Sequence, residues 1–176
     1  MGETKLTAPA TPSGNNKKTG LVVKESDVTI SNATITGNSD ITSNEYCGVV
    51  DVREGGTTLE GVEIINRASW ASGVVINRGV DAGETVTMKN SKLNVYYRAF
   101  YVVDNANGTI EIDNCDITGS IYAINVNSAS SQDLVIKCTN SKLHGWSSYG
   151  EIKSASFENV EFSKGASQYD YLRPYA

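Results

Sequence analysis

A chain of 176 residues is long enough to bury a real core and short enough to be one domain. Its net charge of −5 lacks the cation excess that a nucleic-acid or anionic-membrane partner needs, and no apolar run reaches the roughly 18 residues of a membrane-spanning helix. Sixteen glycines against three prolines, with many Asn, Ser and Thr, suit short strands joined by polar turns and suit helices poorly.

Residues 1–20 have linker composition, Ala-Pro-Ala-Thr-Pro-Ser-Gly-Asn-Asn-Lys-Lys-Thr-Gly, and are expected to be flexible or loosely packed. They carry no apolar leader. From residue 21 to 163 apolar and polar residues alternate, which is the strand period. Residues 164–176, with three tyrosines and Leu172, are expected to fold over the last repeat as a partial cap.

Within 21–163 one pattern recurs: apolar, polar, apolar, polar, Asn, small, charged, apolar. It runs over 28–35, 57–64, 86–93, 110–117, 136–143 and 155–162. Asn32, Asn90, Asn114, Asn140 and Asn159 share one position, and Gly61 replaces asparagine in the second copy. Both residue types accept positive φ, so this position reads as a sharp bend. A second block begins with a small residue and then alternates: Gly48–Val52, Gly73–Ile76, Ala99–Val102, Ala123–Val126 and Gly150–Ile152. Each repeat therefore holds three short strands, too closely spaced for a crossover helix. One repeat cannot bury its own apolar face, so the copies stack.

Stacking gives inward columns Ile30, Leu59, Met88, Ile112, Cys138, Phe157 and Ile35, Ile64, Leu93, Ile117, Leu143, Phe162. The residues after the bend, Ala33, Val62, Ser91, Cys115, Ser141 and Val160, are small enough for a tight corner. Outward positions alternate in sign through Glu63, Lys92, Asp116, Lys142 and Glu161, as neighbouring parallel strands favour. The asparagines are expected to form a buried side-chain ladder. The predicted fold is all-β, a right-handed parallel β-helix (solenoid) of about six coils with three short strands per coil, roughly 30 Å long at the spacing of paired strands.

The Asn bend followed by apolar and small-apolar-x-apolar positions, clearest over Asn90–Val102 and Asn114–Val126, resembles the repeat of the pectate-lyase-like superfamily. That resemblance implies the fold over about residues 21–163 and a bacterial, secreted or cell-surface setting. It leaves function open among lyases, hydrolases, esterases, epimerases, tailspikes and adhesins.

A lyase of this superfamily uses calcium-binding carboxylates and a basic residue. Asp113, Asp116 and Asp104 are the candidate ligands, with Glu60 and Glu63 a coil away, and Arg67, Arg78 and Arg98 the candidate bases. Lys89, Lys92 and Lys142 interrupt these acidic columns, so a solvated charge ladder is the simpler reading. The hydrolase-type aspartate pair, Gly-His-Gly and Arg-x-Lys are missing, and His144 is the single histidine. Cys47, Cys115 and Cys138 show no metal spacing and no disulfide framework, so no cofactor is expected outside the calcium-dependent alternative. Asn32 and Asn107 begin Asn-x-Thr sequons, of which only Asn107 is placed to accept a glycan.

The turn before each second block carries aromatic residues in four successive coils: Trp70; Tyr96, Tyr97 and Arg98; Tyr122; Trp146 and Tyr149. Tyr101 follows at an outward strand position. Rings in a row suit an extended sugar chain, whose C–H faces stack on aromatic faces. The same rings could instead cover the corner of the solenoid. The expected partner is a polysaccharide or glycan, held without catalysis or on an adhesion scaffold. The alternatives are a small calcium-dependent lyase or epimerase, and a structural segment of a longer stalk or repeat array that associates end to end through open coil edges.

Overall fold

The alternation that marks each strand also decides which side chains meet inside. The computed structural model describes residues 4–7, 20–37, 48–103, 105–126 and 131–164. Residues 165–176 of the expected cap at 164–176, Cys47 and Asp104 lie outside the described residues.

Among the described residues seventeen strands form in chain order. They are β1 (Thr4–Thr7), β2 (Leu21–Val23), β3 (Thr29–Ser31), β4 (Ala33–Thr36), β5 (Gly48–Val52) and β6 (Thr58–Glu60). Then come β7 (Glu63–Asn66), β8 (Ser72–Ile76), β9 (Thr85–Lys89), β10 (Lys92–Val95), β11 (Arg98–Val102) and β12 (Thr109–Asp113). The last are β13 (Asp116–Val126), β14 (Val135–Thr139), β15 (Lys142–Ser148), β16 (Ser154–Glu158) and β17 (Glu161–Ser163). Among the described residues the strand pairings are parallel, so each strand lies beside its equivalent one coil away. The molecule is an all-β parallel solenoid.

One sheet is six-stranded, in the order β16-β14-β12-β9-β6-β3. The other wall continues round a corner: β13 pairs with β10 through its first half and with β11 through its second. Thr4–Thr7, inside the stretch read as linker, forms a strand beside β4.

The registers reproduce the sequence columns. Ile30 pairs with Leu59, Leu59 with Met88, Met88 with Ile112, Ile112 with Cys138 and Cys138 with Phe157. Ile35, Ile64, Leu93, Ile117, Leu143 and Phe162 align in the same way. Leu59, Met88, Ile112, Ile64, Leu93 and Ile117 are fully buried, and each such side chain contributes about 1.5–3 kcal/mol by leaving water.

The bend is left-handed in every copy. Asn32, Asn90, Asn114, Asn140 and Asn159 have φ of 51 to 53°, and Gly61 has φ of 60°. The ladder differs from expectation in one respect: its asparagines are exposed, because the bend turns them away from the core. Asn114 Nδ2 donates to Asn90 Oδ1 (2.8 Å) and Asn159 Nδ2 to Asn140 Oδ1 (3.2 Å). Between these, Asn140 Nδ2 turns to Asp113 Oδ1 (2.9 Å), so the amide run is interrupted.

The corner residues do more than fit. Ser91 Oγ donates to Lys89 O (2.6 Å) and accepts from Val62 N (3.0 Å). Ser141 Oγ donates to Thr139 O (2.6 Å) and accepts from Cys115 N (3.0 Å). Cys115 Sγ lies 3.2 Å from Asp113 O in the same column. Each buried hydroxyl thus joins two coils where the sheet ladder is broken by the bend.

The last second-block strand is displaced from the predicted one. β15 pairs with β13 through Trp146–Tyr122, Ser147–Ile124 and Ser148–Asn125, so Trp146–Ser148 occupies the place assigned to Gly150–Ile152. Buried Ser147 stands where other coils place a large apolar residue, which hid the strand.

Candidate ligand-binding face

The aromatic turns arise where each coil passes from its second strand to its third. Tyr122 N donates to Tyr97 O (2.8 Å), and Tyr97 N to Ala71 O (3.2 Å), so the backbone repeats at the coil spacing and carries the rings with it. Glycines make the corner tight in the later coils. A Cβ at Gly119 would lie 1.8 Å from Tyr122 O, and Gly145, at φ of 130°, would meet Gly119 O at 2.2 Å.

Four rings then form a column. Trp70 meets Tyr97 edge to face at 5.0 Å and 77°, and Tyr97 meets Tyr122 at 5.8 Å and 77°. Tyr122 and Trp146 are stacked at 4.8 Å and 17°. These are the offset and T-shaped arrangements that aromatic quadrupoles favour. The stacked pair therefore covers one face of each ring, and open aromatic surface remains on Trp70 (37 % exposed), the ring at the other end, and on Tyr96 (44 % exposed), which precedes Tyr97 in the chain.

Arg98 lies beneath this end. Its guanidinium carbon is 4.3 Å from the Tyr97 ring centre and 4.1 Å from that of Tyr101. Its Nη2 donates to Tyr97 Oη (3.0 Å), while its Nε is buried with no hydrogen-bond partner. The residue is only 7 % exposed, and no carboxylate pairs with it among the described residues. Two aromatic faces stand in for a counter-ion.

Three members of the predicted ridge are thus withdrawn from direct contact. Arg98 is covered by its tyrosines. Tyr101 points outward from β11 but is 1 % exposed, in a small cluster with Val75 and Val103. Tyr149 is 6 % exposed and packs on Phe157 at 5.6 Å, and burial pushes its phenol up to about 12. Trp70, Tyr96, Tyr97, Tyr122 and Trp146 remain at the surface or half-buried.

A polar group missed in the sequence lies on the outer side of the same strand layer. Asp51 is buried, and its Oδ2 takes both Arg53 Nε (2.8 Å) and Nη2 (2.7 Å) while Oδ1 accepts from Asn77 Nδ2 (3.0 Å). The signal was an aspartate at an outward position of Gly48–Val52, with arginine two residues on, along the same side.

The Asn bend carries a polar groove of about 350 Å³, lined by Asn90, Ser91, Asn114, Cys115, Asp116 and Lys142 among others. Asp116 stands in register between Lys92 and Lys142, and Lys142 Nζ is 3.6 Å from Glu161. Asp113 accepts from Thr139 Oγ1 (2.6 Å) and Asn140 Nδ2, which hold its carboxyl below the usual value. Asp113 is therefore committed to Thr139 and Asn140, Asp116 stands in a different column, and among the described residues no three metal-ligating side chains converge. Arg67 and Arg78 are exposed, and neither pairs with a carboxylate among the described residues. Half-buried His144 shares a hydrogen bond with Ser163 Oγ (2.7 Å) through Nδ1. Asn107 Nδ2 is bonded to Asn105 O (3.1 Å), whereas Asn32, the other sequon, is exposed. Cys115 and Cys138 are free thiols, and burial pushes each up to about 11.

No family model and no curated protein matches this chain.

Proposed function

We propose that this solenoid is a non-catalytic, extracellular or cell-surface module that binds carbohydrate along the turn face from Trp70 and Tyr96 to Trp146. One observation carries the reading: Trp70, at one end of a packed ring column, and Tyr96, in the next coil, stay open to solvent. A fixed apolar edge of this kind meets a sugar's C–H surface with little ordering cost. The pectate-lyase-like repeat pattern supports the same broad class. The lyase alternative would need the aspartates near the Asn bend to converge on a cation, and Asp113 is instead held by Thr139 and Asn140. Titrating a panel of plant, microbial and host glycans, with and without calcium, tests the reading. Binding that is lost in Trp70→Ala and Tyr96→Ala while folding persists is the expected result. Calcium-dependent release of unsaturated product would instead make the protein a lyase.

A second reading rests on the coil ends. Among the described residues β16 and β17 are edge strands, Phe162 is 40 % exposed and Phe157 half-buried. Asn159 donates back to Asn140, so its own Oδ1 faces the position where a further asparagine would donate. A second copy stacked on this edge would continue the ladder. Concentration-dependent association in light scattering, abolished by Phe162→Lys, is the outcome this reading requires; a monomer at all concentrations removes it.

A further inference from the structure

Tyr97 sits at the junction of the two features already described, the ring column and the buried guanidinium. Its phenol oxygen accepts from Arg98 Nη2 at 3.0 Å. Its own hydrogen has no acceptor among the described residues, and the side chain is half-buried at the face. A phenol that accepts a charge-assisted hydrogen bond becomes a stronger donor through its remaining hydrogen. Arg98 is 7 % exposed, so it reaches a ligand only through this hydroxyl.

We propose that Tyr97 Oη is the specificity-determining donor of the face, with Arg98 as its positioning residue, and that the sugar it selects carries an acetamido group. This rests on the carbohydrate-binding reading above. The acetamido carbonyl is a strong neutral acceptor, which suits a chain of net charge −5 better than an anionic polymer does. Its methyl group is apolar, and Trp70, whose ring centre is 5.0 Å from that of Tyr97, offers the open aromatic surface to cover it. The hydroxyl of an unacetylated sugar also accepts a hydrogen bond, but more weakly than the amide carbonyl and without a methyl group for Trp70, so the expected preference is about tenfold.

The test uses two neutral tetrasaccharides of the same linkage, chitotetraose with acetamido groups and cellotetraose with hydroxyls. Calorimetry on the full chain should show chitotetraose bound about tenfold or more tightly. Tyr97→Phe, which keeps the ring column, should lower chitotetraose affinity to the level of cellotetraose and so erase the preference, with the fold retained by circular dichroism and a lower melting temperature because buried Arg98 loses this acceptor. Arg98→Lys should reduce the preference without abolishing it, which a merely structural role would not produce. Equal binding of both probes, a preference that survives Tyr97→Phe, or no binding of either probe overturns the proposal. The broader reading is judged separately: it stands if some glycan of the panel binds and Trp70→Ala removes that binding, and it fails if bound glycan ignores Trp70.

Discussion

Asn114 Nδ2 donates to Asn90 Oδ1 across 2.8 Å, and both residues hold the left-handed backbone, at φ of 51° and 52°. One residue type therefore does two jobs at each bend. It tolerates a conformation that costs other L-residues roughly 1–2 kcal/mol, and its amide ties that bend to the next. Asn114→Ala should lose both, for a cost of about 2 kcal/mol in urea unfolding. Asn114→Gly keeps the backbone freedom and should lose clearly less. Equal losses for the two variants would show that the ladder, rather than φ, dominates.

Gly61 offers the reverse experiment. It occupies the same bend at φ of 60°, and a Cβ there would stand 3.0 Å from Asn32 Oδ1, the mobile end of a side chain. Gly61→Asn should extend the ladder by one rung and stabilise the protein by a few tenths to about 1 kcal/mol. A lower melting temperature would mean that Asn32 cannot yield the space.

Behind the bend, Ser141 Oγ joins Thr139 O to Cys115 N inside the corner. Ser141→Ala leaves the buried Cys115 N–H without its acceptor, at about 1–3 kcal/mol, while Thr139 O still accepts from Asn114 N. Ser141→Cys should be milder, because Cys115 already fills this column with its Sγ 3.2 Å from a carbonyl. Chemical denaturation of the two variants side by side decides it.

The inward columns and the Asn bend were legible because each depends on a local property, apolar character at period two and tolerance of positive φ. Ile30 through Phe157 and Ile35 through Phe162 could be aligned from those properties alone. What a neighbouring coil covers was not legible. Tyr101 points outward yet is buried, and Asn32 was read as buried yet is exposed, because outward direction and solvent access are different quantities. Ser147 and Tyr149 fill inward places with residues that carry no strand signal, which displaced the last block. The column of rings was visible as a list of aromatics, but the 17° stack of Tyr122 on Trp146 that hides ring faces depends on rotamers. Arg98 looked like an exposed base for the same reason.

The thiols give a pH dependence with a definite sign. Burial raises Cys115 and Cys138 from 9.0 to about 11, so the unfolded chain loses these protons first as pH rises. Their contribution is fully present below about pH 9 and should be lost progressively between about 9 and 11. Melting temperature should fall over that window, and Cys115→Ser with Cys138→Ala should flatten the slope. At neutral pH, thiol labelling should wait for unfolding.

Asp113 acts at the other extreme. Hydrogen bonds from Thr139 and Asn140 lower its pKa below 3.8, so the folded state holds fewer protons than the unfolded one as acid is added. Its contribution is present above the unfolded value and is lost as pH falls through the folded one. Because the carboxylate is exposed, the effect on stability should be small, and NMR titration is the better readout. Thr139→Val removes the first-ranked of these donors and should move the Asp113 titration upward toward 3.8, with the Asn140 contact limiting the change. An unchanged titration would place the control of this carboxylate elsewhere in the bend.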